Sequence, residues 1–166
     1  MLLTLTLTLT LTRKATALCI AASALLAAHA SLAQGPAQKP APDFLASAAA
    51  AKGAVLSESG LVYLSLKEGQ GASPAAIDSV RVHYRGTLTD GKEFDSSYSR
   101  GQPISFPLNR VIKCWTEGVQ KMKVGGKARL TCPASIAYGE RGTPGGPIPP
   151  NAVLQFEVEL LGITKP

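Results

Sequence analysis

Val111-Ile112-Lys113-Cys114-Trp115-Thr116-Glu117-Gly118-Val119 carries the only tryptophan of the chain. Trp115, Val119 and Met122 stand at i, i+4 and i+7, so they share one face of a short helix. The spacing predicts that helix over Val111 to Met122. The apolar runs around it read as strands. One short helix among strands must press its stripe onto a sheet, because neither buries its face alone. Trp115 then lies where helix meets sheet, either as plain core or as the wall of a cavity between them.

Upstream, Leu61–Lys67 places Val62, Leu64 and Leu66 on one face of a strand. Ser79–Leu88 alternates Val80, Val82 and Tyr84 with Arg81, His83 and Arg85. Asp90-Gly91 is a hairpin signal, and Lys92–Ser96 returns. Ser97–Gln102 is polar, a bulge or a loop. Ile104–Leu108 reads as a strand that Pro107 assigns to an edge, since proline cannot donate to a ladder. Downstream, Val124-Gly125-Gly126 turns the chain into a strand over Lys127–Cys132. Residues 133–150 form a long loop rich in glycine and proline, a length associated with function in compact domains. Ala152–Ile163 is the last strand, with Leu154, Phe156, Val158 and Leu160 inward and Glu157 and Glu159 outward. The order predicts an α+β domain, an antiparallel sheet wrapped around one helix.

The 166 residues allow one such domain plus extra segments. Residues 1–33 read as a secretory signal peptide: Arg13 and Lys14, the apolar run Ala15–Ala28, then Ala-x-Ala-like sites ending at Ala30 and Ala33. The run lacks a stop-transfer pattern, so no stable membrane insertion is expected after cleavage. Residues 34–59 read as a linker bearing a short helix over Phe44–Ala51, capped by Asp43, and 60–166 as the folded domain. Losing the leader lowers the formal charge from +6 to +4. That charge is scattered and accompanies no binding motif, which argues against nucleic acid as a partner.

Export would leave Cys114 and Cys132 in an oxidising compartment. Cys132 is in period-2 phase with Ala128 and Leu130, facing the layer of the helix that Cys114 opens. A disulfide is the expectation; two reduced buried thiols are the alternative. No metal is expected, because the histidines are His29, in the leader, and His83.

Five fragments occur in register: Val82-His83-Tyr84-Arg85-Gly86; Asp90-Gly91-Lys92-Glu93-Phe94-Asp95-Ser96-Ser97; Val111-Ile112 with Trp115; Ala137-Tyr138-Gly139; and Ile148-Pro149-Pro150-Asn151-Ala152 running into Phe156-Glu157-Val158-Glu159-Leu160-Leu161. Together they resemble the FKBP family, the tacrolimus-binding peptidyl-prolyl cis-trans isomerases. The junction over Phe44–Leu66 resembles that of bacterial exported members of the macrophage infectivity potentiator type. Their long dimerising helices have no counterpart here, so a monomer is expected.

The resemblance implies a five- or six-stranded half-barrel around the short helix, with a substrate pocket between them. By motif match that pocket is lined by Tyr84, Phe94, Ile104, Phe106, Val111, Ile112, Trp115, Ile148 and Phe156. Asp95 and Tyr138 supply polar groups, and Arg100 and Ala137 sit at the rim. Tyr84, Asp95 and Tyr138 are the implied catalytic set, although Asp95 also has a structural reading as a carboxylate paired with Arg100 or Tyr84. Ile104 stands where an aromatic is common. Cys114 and Cys132 replace a glycine and an aliphatic residue, a paired change that supports the disulfide. The implied ligands are proline-containing polypeptides and, as inhibitors, tacrolimus-type macrolides. No cofactor is implied.

The implied chemistry has a physical basis. Rotation about an X-Pro bond faces a barrier of about 18–20 kcal/mol. The planar amide is more polar than the twisted one, so an apolar pocket raises the planar ground state relative to the twist. A 10⁵-fold acceleration requires about 7 kcal/mol, which desolvation and positioning must share. The expected function is therefore prolyl isomerisation during folding of exported, periplasmic proteins. The competing expectation is a periplasmic chaperone or module that binds proline segments without turnover.

Overall fold

The computed structural model describes residues 41–166. The signal peptide expected over residues 1–33 lies outside the described residues. Among the described residues no helix is long and apolar enough to cross a membrane.

The core is an antiparallel sheet of seven strands: β1 (Ala54–Leu56), β2 (Val62–Lys67), β3 (Ser79–Thr87), β4 (Glu93–Ser96), β5 (Ile104–Pro107), β6 (Lys127–Cys132) and β7 (Leu154–Thr164). Their spatial order is β1-β2-β6-β7-β3, and β4 and β5 share the remaining edge of β3. β5 pairs with the first half of β3, from Ser79↔Pro107 to Val82↔Ile104. β4 pairs with the second half, from Arg85↔Ser96 to Thr87↔Glu93. The residues between them, 97–103, leave the sheet. A register shift between Arg81 and Val82 against β7 bends the sheet at its centre.

Six of these strands match the expected runs; the seventh, β1, falls inside the stretch read as linker. Three residues are too few to show a period, so only pairing with β2 reveals it. The upstream helix, α1, spans Ala41–Ala49. It starts earlier than expected, and Asp43 sits in its first turn, where a carboxylate complements the helix dipole.

The two faces of the sheet are distinct. Tyr63 pairs with Leu130 and Val62 with Thr131, so alternation sends Tyr63 and Leu130 to the concave face and Val62 to the other. Val62 and Leu64 therefore meet Phe44 and Ala48 of α1, and Ala51 just beyond it, along a cleft on the outer face. The concave face holds the main core: Val80, Val82, Leu130, Leu154, Val158 and Leu160 are all at most 1% exposed.

The second helix, α2, spans Lys113–Gln120 and lies against that core. It is shorter than the expected Val111–Met122. Val111 and Ile112 are apolar enough to extend the pattern, but both have extended backbone, with ψ of 178° and 147°. Trp115 and Val119 are buried on α2, and Met122 just beyond it. Gly118 faces Leu130; a Cβ there would come within 2.7 Å of its methyl carbons. The absent side chain thus sets how closely helix and sheet approach. One residue into the helix, Cys114 is joined to Cys132 of β6 by a disulfide, their Cα atoms 5.9 Å apart. Ser59, in the β1–β2 turn, donates to Glu117 and ties the helix from its other side.

Candidate active site

A cavity of about 510 Å³ opens between α2 and the concave face. Trp115 is its floor, 5% exposed and held edge-on by two rings. Tyr84 of β3 meets it at 5.2 Å with an interplanar angle of 85°, and Phe156 of β7 at 5.3 Å and 86°. Phe106 of β5 lies 5.4 Å away. Phe94 of β4 packs edge-on against Phe156 at 5.6 Å. Edge-to-face contacts at these separations are favourable and fix ring orientation. Gly86 makes room for this wall, since a Cβ there would meet the Phe94 ring at 2.6 Å.

Ile104, Val111 and Ile112 complete the apolar lining. The extended backbone that shortens α2 is what turns Val111 and Ile112 toward the cavity. The main-chain N–H of Trp115 and Thr116 both return to the carbonyl of Ile112, at 2.9 and 3.2 Å, which fixes the start of the helix.

Three of the polar groups form one connected set. The Tyr84 hydroxyl donates to Asp95, and Arg100 pairs with the same carboxylate. Arg100 also donates to the Tyr84 hydroxyl at 2.9 Å, and its guanidinium lies 5.5 Å from the centre of the Tyr84 ring. Burial acts to raise the Asp95 carboxyl. The hydrogen bonds from Tyr84 and Arg100, with the Arg100 charge, outweigh it and leave the group below its ordinary range. Burial and the hydrogen bond to Asp95 push the Tyr84 hydroxyl up. Tyr138 is 40% exposed at the cavity. Burial first, then the Asp95 charge, raises its hydroxyl as well, so it is a donor at neutral pH. Asp95 is thus ion-paired, and it also lines the cavity.

Tyr84, Phe94, Asp95, Ile104, Phe106, Val111, Ile112, Trp115, Tyr138 and Phe156 are brought together at one cavity. Of the expected residues, Ile148 is placed differently, while Ala137 and Arg100, expected at the rim, lie off the lining. Ile148 is 5% exposed within the main core rather than on the cavity wall. The 143–148 segment closes on itself, Thr143 exchanging main-chain and hydroxyl hydrogen bonds with Ile148, and this turns the side chain inward. Ala137 packs against the same core from a half-buried position. Arg100 reaches the site through its contacts with Tyr84 and Asp95, not as lining. Sequence reasoning missed Arg110, which lines the cavity from the short turn before Val111. Its position directly before two lining residues was the available signal.

The family model for FKBP-type peptidyl-prolyl cis-trans isomerase matches residues 71–161. The chain is 56% identical over 129 residues to the FKBP-type peptidyl-prolyl cis-trans isomerase FkpA of Aeromonas hydrophila, covering 78% of this chain and 47% of that one. It is 55% identical over 106 residues to the FKBP-type 22 kDa peptidyl-prolyl cis-trans isomerase of Escherichia coli (strain K12), covering 64% and 51%. The chain thus spans about half the length of these curated relatives. The crystal structure of FkpA from Escherichia coli superposes with a TM-score of 0.72 at 48% identity, over 75% of this chain and 57% of that one. A peptidyl-prolyl cis-trans isomerase from Pseudomonas syringae pv. tomato gives 0.71 at 38% identity, over 77% and 93%. With the fold, the cavity and these matches in agreement, the chain belongs to the FKBP-type peptidyl-prolyl cis-trans isomerase family.

Proposed function

We propose that this protein accelerates cis–trans exchange of X-Pro bonds in polypeptides folding in the bacterial envelope. The observation that carries the reading is the Trp115 floor: a ring-walled hollow, open to solvent, with Asp95 and Tyr138 among its lining. A pyrrolidine ring entering it leaves water and stacks among Tyr84, Phe156 and Trp115. The planar amide loses more solvation than the twisted one, so the barrier falls. Tyr138 and the main-chain N–H of Ile112 are donors for substrate carbonyls. Asp95, held by Tyr84 and Arg100, presents negative charge toward the twisting amide carbon. No proton is transferred and no covalent bond is made.

The leader pattern over residues 1–33 supports a periplasmic location, and a periplasm would maintain the Cys114–Cys132 bridge. Proline-containing segments are the proposed substrates, and macrolides of the tacrolimus type the proposed inhibitors. A monomer is the proposed state.

Two-dimensional exchange NMR on a proline peptide tests the reading with the oxidised, leader-free protein. Wild type is expected to speed exchange by several orders of magnitude, and Asp95→Ala and Trp115→Ala to lose at least tenfold. Exchange at the uncatalysed rate, alongside peptide binding, would leave only a binding module.

A further inference from the structure

We propose that Arg110 makes this active site selective for proline segments bearing a carboxylate, an Asp or Glu side chain, within two residues of the proline. The inference rests on the isomerase reading and names the substrate class of the same cavity.

The charge balance of the lining carries it. Asp95 is the acidic residue of the wall, and Arg100 and Tyr84 already hold its carboxylate. Arg110 is the cationic residue of the wall, and it is exposed. Among the described residues it forms no salt bridge, unlike Arg100, the other arginine beside the cavity. The cavity therefore presents one unspent positive charge at its mouth.

The backbone that carries that charge is fixed. Arg110 ends a short 3-10 turn over Leu108–Arg110. Leu108 is fully buried, and its N–H is bound to the Asp78 carbonyl at 2.9 Å. Thr116 of α2 donates to the Leu108 carbonyl at 2.7 Å. The turn is thus clamped to both sheet and helix, and its last residue precedes Val111 and Ile112 of the wall. An extended peptide advances about 3.3 Å per residue, so a side chain one or two residues from a proline seated on Trp115 lies within reach of an arginine at the mouth. Guanidinium suits this task, because it offers a planar fork of donors to a carboxylate.

The test uses peptides with one proline and Glu, Gln or Lys at the preceding residue, and a second series varied two residues after it. Each is measured for exchange by NMR and for binding by titration at low salt. In at least one series kcat/KM is expected to rise in the order Lys, Gln, Glu, with Glu exceeding Gln by roughly two- to fivefold, the range of a partly exposed ion pair. The ratio should shrink as salt approaches 0.5 M, where screening acts within about 4 Å. Arg110→Gln should collapse the Glu-to-Lys ratio toward one, and Arg110→Glu should invert it, whatever either variant does to overall rate. An unchanged ratio in both variants, or no Glu preference in wild type, overturns the proposal. Failure of the isomerase reading shows separately, as absent exchange of the Gln peptide by wild type; the binding ratio then still decides the role of Arg110.

Discussion

At the residue scale the telling group is Asp95. Its carboxyl sits below the ordinary range because Tyr84 and Arg100 together overcome the effect of burial. A folded-state value that is depressed stabilises the protein fully above the unfolded value, and the contribution fades as pH falls through the folded one. Asp95→Asn is expected to cost about 1 kcal/mol at neutral pH, the low end for a lost acceptor, because the 43% exposed side chain lets water substitute. Urea denaturation of wild type and variant should differ at pH 7 and converge below the carboxylate range. A gap that persists at acid pH would show that Asp95 acts through packing instead. Tyr84 and Tyr138 are both shifted upward, so neither ionises near neutrality and exchange should be level between pH 6 and 8.

At the element scale, two glycines decide how the helix and the wall pack. Alanine normally gains about 1 kcal/mol over glycine inside a helix. At Gly118 the added carbon meets Leu130 at 2.7 Å, so Gly118→Ala is expected to destabilise by about 1–3 kcal/mol, as overpacked cores do. Gly86→Ala drives into the Phe94 and Phe156 rings. Exchange activity should fall at least tenfold there, with a change in near-ultraviolet dichroism and little change in the far-ultraviolet spectrum. Reading the sequence alone recovers these elements unevenly, and the reasons are physical. β3, β6 and β7 alternate over at least six residues and stand out. β1 is too short to alternate. The ends of α2 mislead because Val111 and Ile112 are apolar for the sake of the cavity, not of a helical stripe. The aromatic lining follows from motifs in register. Ile148 does not, because a loop closed by Thr143 has no period from which to infer direction. Arg110 escapes for the complementary reason: a lone charge in a turn looks like surface until the cavity beside it is known.

At the scale of the whole molecule, distant parts of the chain are fastened to one another. The Cys114–Cys132 bridge spans 18 positions and fixes α2 to β6. Reducing it is expected to remove about 3 kcal/mol by the loop-entropy argument. Thermal melts with and without reductant, beside a Cys114→Ala/Cys132→Ala variant, measure the loss. Near the C-terminal end Lys165 reaches back at 2.7 Å to Asp78, whose side chain is 1% exposed. The hydrogen bond from Lys165, then that from the Ala75 N–H at 2.8 Å, holds this carboxyl below its ordinary range. Its stabilising contribution is therefore present above the unfolded carboxylate value and lost in acid. Lys165→Met should lower the melting temperature at pH 7 and move the midpoint of acid unfolding upward.

The shared edge of β3 has a further consequence. β4 and β5 each complete their own ladder on that strand, and between them only Ser97 still bonds to it, its N–H donating to the Tyr84 carbonyl and its hydroxyl accepting from the Tyr84 N–H. Beyond Ser97, positions 98–103 can be lengthened, shortened or exchanged without breaking a rung, provided Arg100 keeps its hold on Asp95. Arg100 is carried there, beside the mouth of the hollow. The architecture separates a permanent frame from an insert anchored by Ser97 and Arg100, so changes elsewhere in the insert reshape the mouth of the hollow while the frame stays as it is.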